Sequence, residues 1–477
     1  MVGTLAIALG GAFIHPFWAI LPYYLFAVLQ PQYLWSWALP ADVRWSLAAA
    51  GVAMLGAFFH LRMLIGQSRW NPVATLFIVY GLTLCFSYLA AFDMGRAQYW
   101  AEINGKVLLM ALLATLIMDQ MYRIQVLSWM LTLSLGYLAW HFNSLYLFEN
   151  RMDILINGLG GLDNNGMAML LAMAIPFVYA AWLTSRQWWL KAIMLVMGVL
   201  VVHAILLTYS RAAMLSGIFC FFVIFAYHRP KRHGLVLAGL VILSISIMAG
   251  PAVQSRFMTL AANNLDSSMQ SRYDSWGAAW KIIWDHPLTG VGVRNSNLFT
   301  RNYGADEIGR SIHNLYLQLA ADNGLPSVMV YIGLGFVGLI FLHQSRKKLV
   351  EWAEQHMPGY ETGGNNDENH PVFPLAQEAQ RAAHLIFGYE ASLIVFFVNS
   401  MFLSSDVLEF QWLLFAVAGA MPGITQDYLK TLDEKLPQHQ PAKDKNHTHA
   451  SSPAHKNTPS FPPAVKRWSG SVSPHAM

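Results

Sequence analysis

Charge is scarce in this chain. Asp, Glu, Lys and Arg make up 12% of its 477 residues, whereas 55% are hydrophobic. A soluble domain carries roughly a quarter charged residues, so a freely soluble fold is excluded. Cysteine is nearly absent: Cys85 and Cys220 both sit inside apolar runs, which excludes a disulfide framework or a cysteine-based metal site. Enzyme signatures are lacking too. No G-x-x-x-x-G-K-S/T is present to cradle a nucleotide. Gly290-Val291-Gly292 opens like a dinucleotide fingerprint, but Asn295 stands where a third glycine is needed, so a turn is the better reading. No D-x-D or H-E-x-x-H occurs, and a dedicated divalent-metal site is not indicated. Neither a cofactor, a metal nor a nucleic-acid partner is expected.

What the chain has instead is long apolar runs. Residues 45–64, 72–92, 166–183, 191–208, 211–227, 234–250, 325–343, 381–403 and 409–424 are almost free of charge. Runs of roughly 18 such residues read as membrane spans, and continuous helix satisfies the backbone where no water is available. Residues 2–14, 17–30, 106–118 and 124–141 add shorter or interrupted candidates, with His15-Pro16 and Pro22 as breaks. The expectation is an all-α polytopic transmembrane bundle of 12 or 13 helices. The first helix lacks a basic lead and a small-residue cleavage site, so it reads as retained.

Short basic connections fix the orientation. Arg62 and Arg69, Arg186 and Lys191, the cluster from His228 to His233, and Arg346, Lys347 and Lys348 fall on one face, which is therefore cytoplasmic; Arg123 fits it as well. Residues 30–44, 93–105, 141–165 and 251–323 then face outward. The last is rich in arginine, but loops longer than about 60 residues translocate largely regardless of charge. The expected organisation is N-terminal transmembrane helices over 1–250, a periplasmic catalytic loop over 251–323, and C-terminal transmembrane helices over 324–426. A cytoplasmic insertion is expected at 344–380, and a disordered cytoplasmic tail at 427–477, where Pro, His, Lys and Ser dominate.

Four outward-facing features carry polar chemistry. Asp163-Asn164-Asn165 precedes a helix, where either of the first two is also a good N-cap. Ser210-Arg211 lies between two apolar runs; Arg211 either snorkels or is a functional boundary charge. Arg272 opens a segment in which Trp276, Trp280 and Ile283 recur at helical spacing, as in an amphipathic helix lying on a membrane surface; Asp274 is its alternative ion-pair partner. His313-Asn314 heads a further helix, and Arg294 follows the glycine turn. Arginine binds phosphate bidentately at any relevant pH, and histidine takes a proton from a hydroxyl near neutrality. A donor activated by a lipid-held diphosphate suits such a set.

Arg272…Trp276…Trp280…His286-Pro287-Leu288-Thr289-Gly290-Val291-Gly292, followed by His313-Asn314 and Asn323-Gly324-Leu325, resembles the core of the bacterial O-antigen ligase and O-antigen polymerase superfamily. Ser210-Arg211-Ala212 and Asp163-Asn164-Asn165 resemble two further motifs of that group. The opening segment 16–40 and the chain length are most similar to O-glycosylation ligases associated with exosortase A. The resemblance implies an inner-membrane glycosyltransferase, independent of metal and ATP. It would move a glycan from undecaprenyl diphosphate to a glycan, lipid A core or protein acceptor on the periplasmic side, inverting the anomeric centre. It implies His313 as the base and Arg211 and Arg272, with Arg294 secondary, as diphosphate ligands; Asn164, Asn314 and Asp274 would support them. A repeat-unit polymerase differs only in its acceptor. A polysaccharide or lipid transporter would place polar residues near the bilayer midplane, where these runs have few.

Overall fold

The computed structural model describes residues 1–40, 42–66, 70–156, 158–227, 267–305, 311–357, 371–405 and 407–437. Every regular element among them is helical. The first half comprises α1 (Val2–Ile14), α2 (Pro16–Leu29), α3 (Pro31–Leu34), α4 (Trp45–Phe59), α5 (Leu61–Gly66), α6 (Pro72–Leu89), α7 (Met94–Ile117), α8 (Met121–Glu149), α9 (Asp153–Ile156), α10 (Asn164–Thr184), α11 (Trp188–Leu207) and α12 (Arg211–Tyr227). Then follow α13 (Ser267–Asp285), α14 (Ser296–Phe299), a 3-10 turn (Thr300–Tyr303), α15 (Leu315–His356), α16 (Phe373–Asn399) and α17 (Glu409–Glu434). The expected span at 234–250, the basic cluster 228–233, Arg256 and Arg310 lie outside the described residues.

Local sequence explains where the helices begin. The Asn71, Asp93 and Asp163 carboxamide or carboxylate oxygens accept from Ala74, Arg96 and Gly166 amides at 3.1, 2.9 and 2.7 Å. Each satisfies an orphan first-turn donor. Pro72 and Pro16 occupy first helical positions, where their missing N–H costs nothing. At α2 the cap is the His15 imidazole, whose Nδ1 accepts from Phe17 at 3.1 Å.

Among the described residues six helices, α6, α7, α10, α11, α15 and α16, are long and apolar enough to cross a membrane, and shorter apolar helices accompany them. The apolar stretch of α10 is 89% buried inside the protein, that of α6 only 33%. Phe58, Leu82, Phe86, Leu89, Val196 and Phe222 stand exposed on the outside. An exterior of this kind is stable against lipid and not against water. The chain is thus an all-α polytopic membrane protein. Helix α10 sits at its centre, against α8, α11, α12 and α16.

Several stretches that read as polar loops are helix. Residues 93–105 form the first turns of α7, α8 carries His141 and runs on to Glu149, α15 continues to His356 and α16 begins at Phe373. Helix thus occupies 344–356 and 373–380 of the insertion expected at 344–380, and residues 358–370 lie outside the described residues. Residues 427–434 of the expected tail belong to α17, which extends to Glu434, and residues 438–477 lie outside the described residues. These polar helix ends hold one another. Trp352 Nε1 donates to Asp433 Oδ1 (2.7 Å), Tyr428 Oη to Glu378 Oε1 (3.1 Å), and Leu432 is fully buried.

Arg123 is not the loop cation that the sequence suggests. It is buried, pairs with Asp119 and lies 2.7 Å from His15 Nε2. In this way it ties the start of α8 to the cap of α2. The paired charges replace the water that burial removes.

Candidate active site

The glycine turn and the head of α15 are built around each other. Helix α15 kinks at Gly324, whose φ of 83° suits glycine. The kink releases backbone groups near residues 321–325, and each must find a partner. Val291 N donates to Ala321 O (3.0 Å), Gly292 N to Asp322 O (2.9 Å) and Leu325 N to Pro287 O (2.8 Å). Ser87 Oγ, from α6, donates to Asp322 O at 2.9 Å. A Cβ on Gly290 would collide with the Asp322 carbonyl, and one on Gly324 with that of Leu288. So Gly290 and Gly324 are required by close backbone approach, and the turn is a structural clasp.

Beneath the clasp lies a buried polar network. Asp322 is 2% exposed. Its carboxylate accepts from Ser296 N (2.7 Å) and from Gln318 Nε2 (2.6 Å), which also reaches Ser296 Oγ at 2.7 Å and Asn297 Oδ1 at 3.2 Å. Sequence reading missed this network; the i, i+4 spacing of Gln318 and Asp322 was the available signal. Asp322→Ala is expected to destabilise the protein by about 3 kcal/mol, because it strips acceptors from buried donors. The thermal midpoint of the detergent-solubilised protein would register it, and an unchanged midpoint would refute the network's weight.

His313 sits where three helices meet. Trp276 of α13 donates its indole N–H to Ile312 O at 2.9 Å. Asn314 caps α15, accepting from Tyr316 N (3.0 Å) and Leu317 N (3.1 Å). Leu315 N donates to Ser400 O, just past α16, at 2.8 Å. Between these anchors His313 is half-buried with φ 52°, a left-handed conformation costing about 1–2 kcal/mol for a side chain with a Cβ. Backbone strain of this kind collects at functional sites. Arg272, half-buried, is one helical turn before Trp276 and so close along α13 to the residue that holds the His313 loop. Asp274 accepts from Gln270 Nε2 at 2.9 Å. Residues two apart on a helix do not face each other, which disfavours an Arg272–Asp274 pair.

The expected tryptophan face is only half right. Trp280 and Trp284 are exposed, but Ile283 is buried with Ser275, Ala279 and Ile282. Helix α13 packs through its small and aliphatic side and leaves the Trp280 and Trp284 indoles outward.

Arg211 reaches the same end of the bundle by another route. Asn164 Nδ2 donates to Thr208 O (3.0 Å) and Ser210 Oγ to Asn165 Oδ1 (2.8 Å), fastening the start of α10 to the α11–α12 junction. Tyr209 turns the chain there with φ 52°. Arg211 is then the first residue of α12 and half-buried. Helix α10 runs antiparallel to α16, with Ser392 Oγ bonded to Met173 O at 2.9 Å. The starts of α10 and α12 therefore lie at the end where α16 finishes and α15 begins. Three helix N-termini, each with a partial positive charge, share that end with Arg211 and Arg272. Such an arrangement attracts anions.

Arg294 is placed differently. Its guanidinium stacks 4.8 Å from the Trp100 ring centre, and its carbonyl accepts from Arg96 Nε at 2.6 Å. It belongs to the α7 side, and its charge acts on Asp322. Arg96 and Trp100 were not singled out from the sequence. Among the described residues no three His, Cys, Asp or Glu side chains converge on a point.

This is a polytopic helical protein in which Arg211, Arg272 and His313 lie toward one end of the bundle. A family model described as O-Antigen ligase matches residues 197–332, from α11 through Arg211, Arg272, the clasp and His313 into α15. Over that segment the chain is similar to O-antigen ligases, membrane glycosyltransferases of ligase or polymerase type. The match does not extend to segment 16–40, on which the likeness to exosortase-associated ligases rested. No curated protein matches the chain.

Proposed function

We propose that the protein transfers a glycan from undecaprenyl diphosphate to an acceptor hydroxyl at the periplasmic face of the inner membrane, without metal or ATP. The observation that carries this reading is the O-antigen ligase match over the segment holding both Arg211 and His313. His313 takes the proton of the acceptor hydroxyl. Its oxygen attacks the anomeric carbon from the side opposite the diphosphate and inverts it. Arg211 and Arg272 neutralise the leaving diphosphate, aided by the N-terminal dipoles of α10, α12 and α15. Asn164 and Asn314 act through the backbone, fixing the Arg211 junction and the start of α15. Arg294 holds the clasp to α7 and does not contact donor in this scheme. The acceptor is a core sugar of lipid A, another glycan or a protein side chain. Ligation is the first reading and repeat-unit polymerisation, which differs only in its acceptor, the second.

Arg211→Lys is expected to lower kcat/KM by roughly 10- to 100-fold. A point charge cannot reproduce the bidentate fork, and charge-assisted hydrogen bonds contribute about 1.5–3 kcal/mol. Transfer from a lipid-linked donor by purified protein in vesicles measures it. Glycan profiling of a deletion strain separates the two activities: unattached long chains accumulate if the protein is a ligase, and long chains are lost if it is a polymerase. Wild-type rates for Arg211→Lys would remove the diphosphate role.

A further inference from the structure

The far end of the bundle holds a second polar site. A cavity of about 410 Å³ opens between the α10–α11 turn and the first half of α16, within the roughly 300–1,000 Å³ typical of small-molecule sites. It lies at the opposite end of α10 from Asn164, about 30 Å away by helix rise. Ser185, Arg186, Lys191, Gln377, Gln380, Arg381 and His384 supply its polar lining. Among the described residues that line it none is acidic. The two glutamates of α16 serve other partners: Glu378 binds Tyr428 and Lys435, and Glu390 binds Arg346 and His343.

The lining is organised. Arg381 donates to Gln377 Oε1, one turn earlier on α16. His384 Nδ1 and the Tyr227 hydroxyl are 2.8 Å apart, joining the end of α12 to the cavity wall. Lys191 Nζ sits 5.5 Å from the Trp182 ring centre. Trp188 and Trp189 stand exposed on the same turn, the placement of indoles that mark a membrane–water boundary.

We propose that this cavity is a phosphate-binding site at headgroup level, occupied by an anionic phospholipid. Three cations and a histidine in a pocket between spanning helices are the chemistry that recognises a lipid phosphate. The boundary indoles set that chemistry at the depth where headgroups lie, which favours lipid phosphate over a soluble anion. The site is separate from the proposed transfer chemistry, so either assignment stands or falls without the other.

Native mass spectrometry of the full-length protein in detergent, with added phosphatidylglycerol or phosphatidylcholine, tests the assignment. The wild type is expected to retain phosphatidylglycerol in preference to phosphatidylcholine. Arg186→Gln/Lys191→Gln should bind it roughly 25-fold more weakly, at about fivefold per cation removed. Lys430→Gln, an exposed lysine outside the lining, should bind as the wild type does. Arg381→Gln provides an independent variant should the double substitution lower the thermal midpoint. Equal retention of the two lipids, or undiminished phosphatidylglycerol binding by the double variant and by Arg381→Gln, overturns the proposal. In a third arm inorganic phosphate is titrated. Failure of phosphate at millimolar concentration to displace the lipid supports a lipid occupant, and displacement at micromolar concentration overturns it in favour of free phosphate.

Discussion

Replacing His313 by asparagine is expected to lower glycan transfer by roughly 10²–10⁴-fold, the usual contribution of a positioned general base. Asparagine is the informative choice because His313 holds a φ of 52°. Alanine there removes the imidazole and also changes how well the left-handed backbone is tolerated. Asparagine adopts that conformation more readily than most residues, so it removes the base and leaves the turn between Ile312 and Asn314 intact. His313→Asn should therefore insert at the wild-type level and keep the wild-type thermal midpoint while losing turnover. His313→Ala should lose turnover to the same degree. The measurement is single-turnover transfer from a lipid-linked donor in vesicles. Wild-type rates in both variants, with correctly inserted protein, would end the assignment of His313 as the base.

The second large effect is structural. Gly324→Ala is expected to destabilise the protein by more than about 3 kcal/mol. A Cβ in the left-handed region costs about 1–2 kcal/mol, and here it would also run into the Leu288 carbonyl. A carbonyl in a clasped turn has little room to yield, because Leu325 N already holds Pro287 O at 2.8 Å on one side. Relief requires the turn at 286–292 to part from α15. The Asp322 network then opens, and the His313 loop loses its footing. Reduced accumulation in the membrane and a lower thermal midpoint are the expected readings. A midpoint within a degree of the wild type would show that the clasp yields cheaply.

Much of the fold was legible in the sequence because a bilayer imposes few solutions. Scarce charge and long apolar runs leave helices as the means of spanning, and Asp163 marks a helix start by ordinary capping chemistry. The misread stretches have one cause. The first turns of α7, the end of α15 and the end of α17 are polar, and in sequence alone such polarity reads as loop. Their helical state depends on partners distant in the chain, such as Trp352 with Asp433 and Tyr428 with Glu378. The same limit applies to Arg123, whose partner His15 lies 108 residues away.

The polar end of the bundle divides in the same way. By itself the sequence determined which residue types were available: arginines, one histidine at a helix start, and a long segment from 251 to 323 containing a glycine turn. It also supplied their order, which is what the family match records. Tertiary structure alone decided their placement. Packing of the 286–292 turn onto the Gly324 kink makes the glycines a clasp, because two backbones approach more closely than any Cβ permits. Stacking on Trp100 assigns Arg294 to α7. The antiparallel course of α10 and α16 brings the starts of α10, α12 and α15 to one end, where their N-terminal dipoles and the arginines add. Periodicity describes one helix at a time. An electrostatic field is a sum over neighbours, and only the folded chain specifies which neighbours those are.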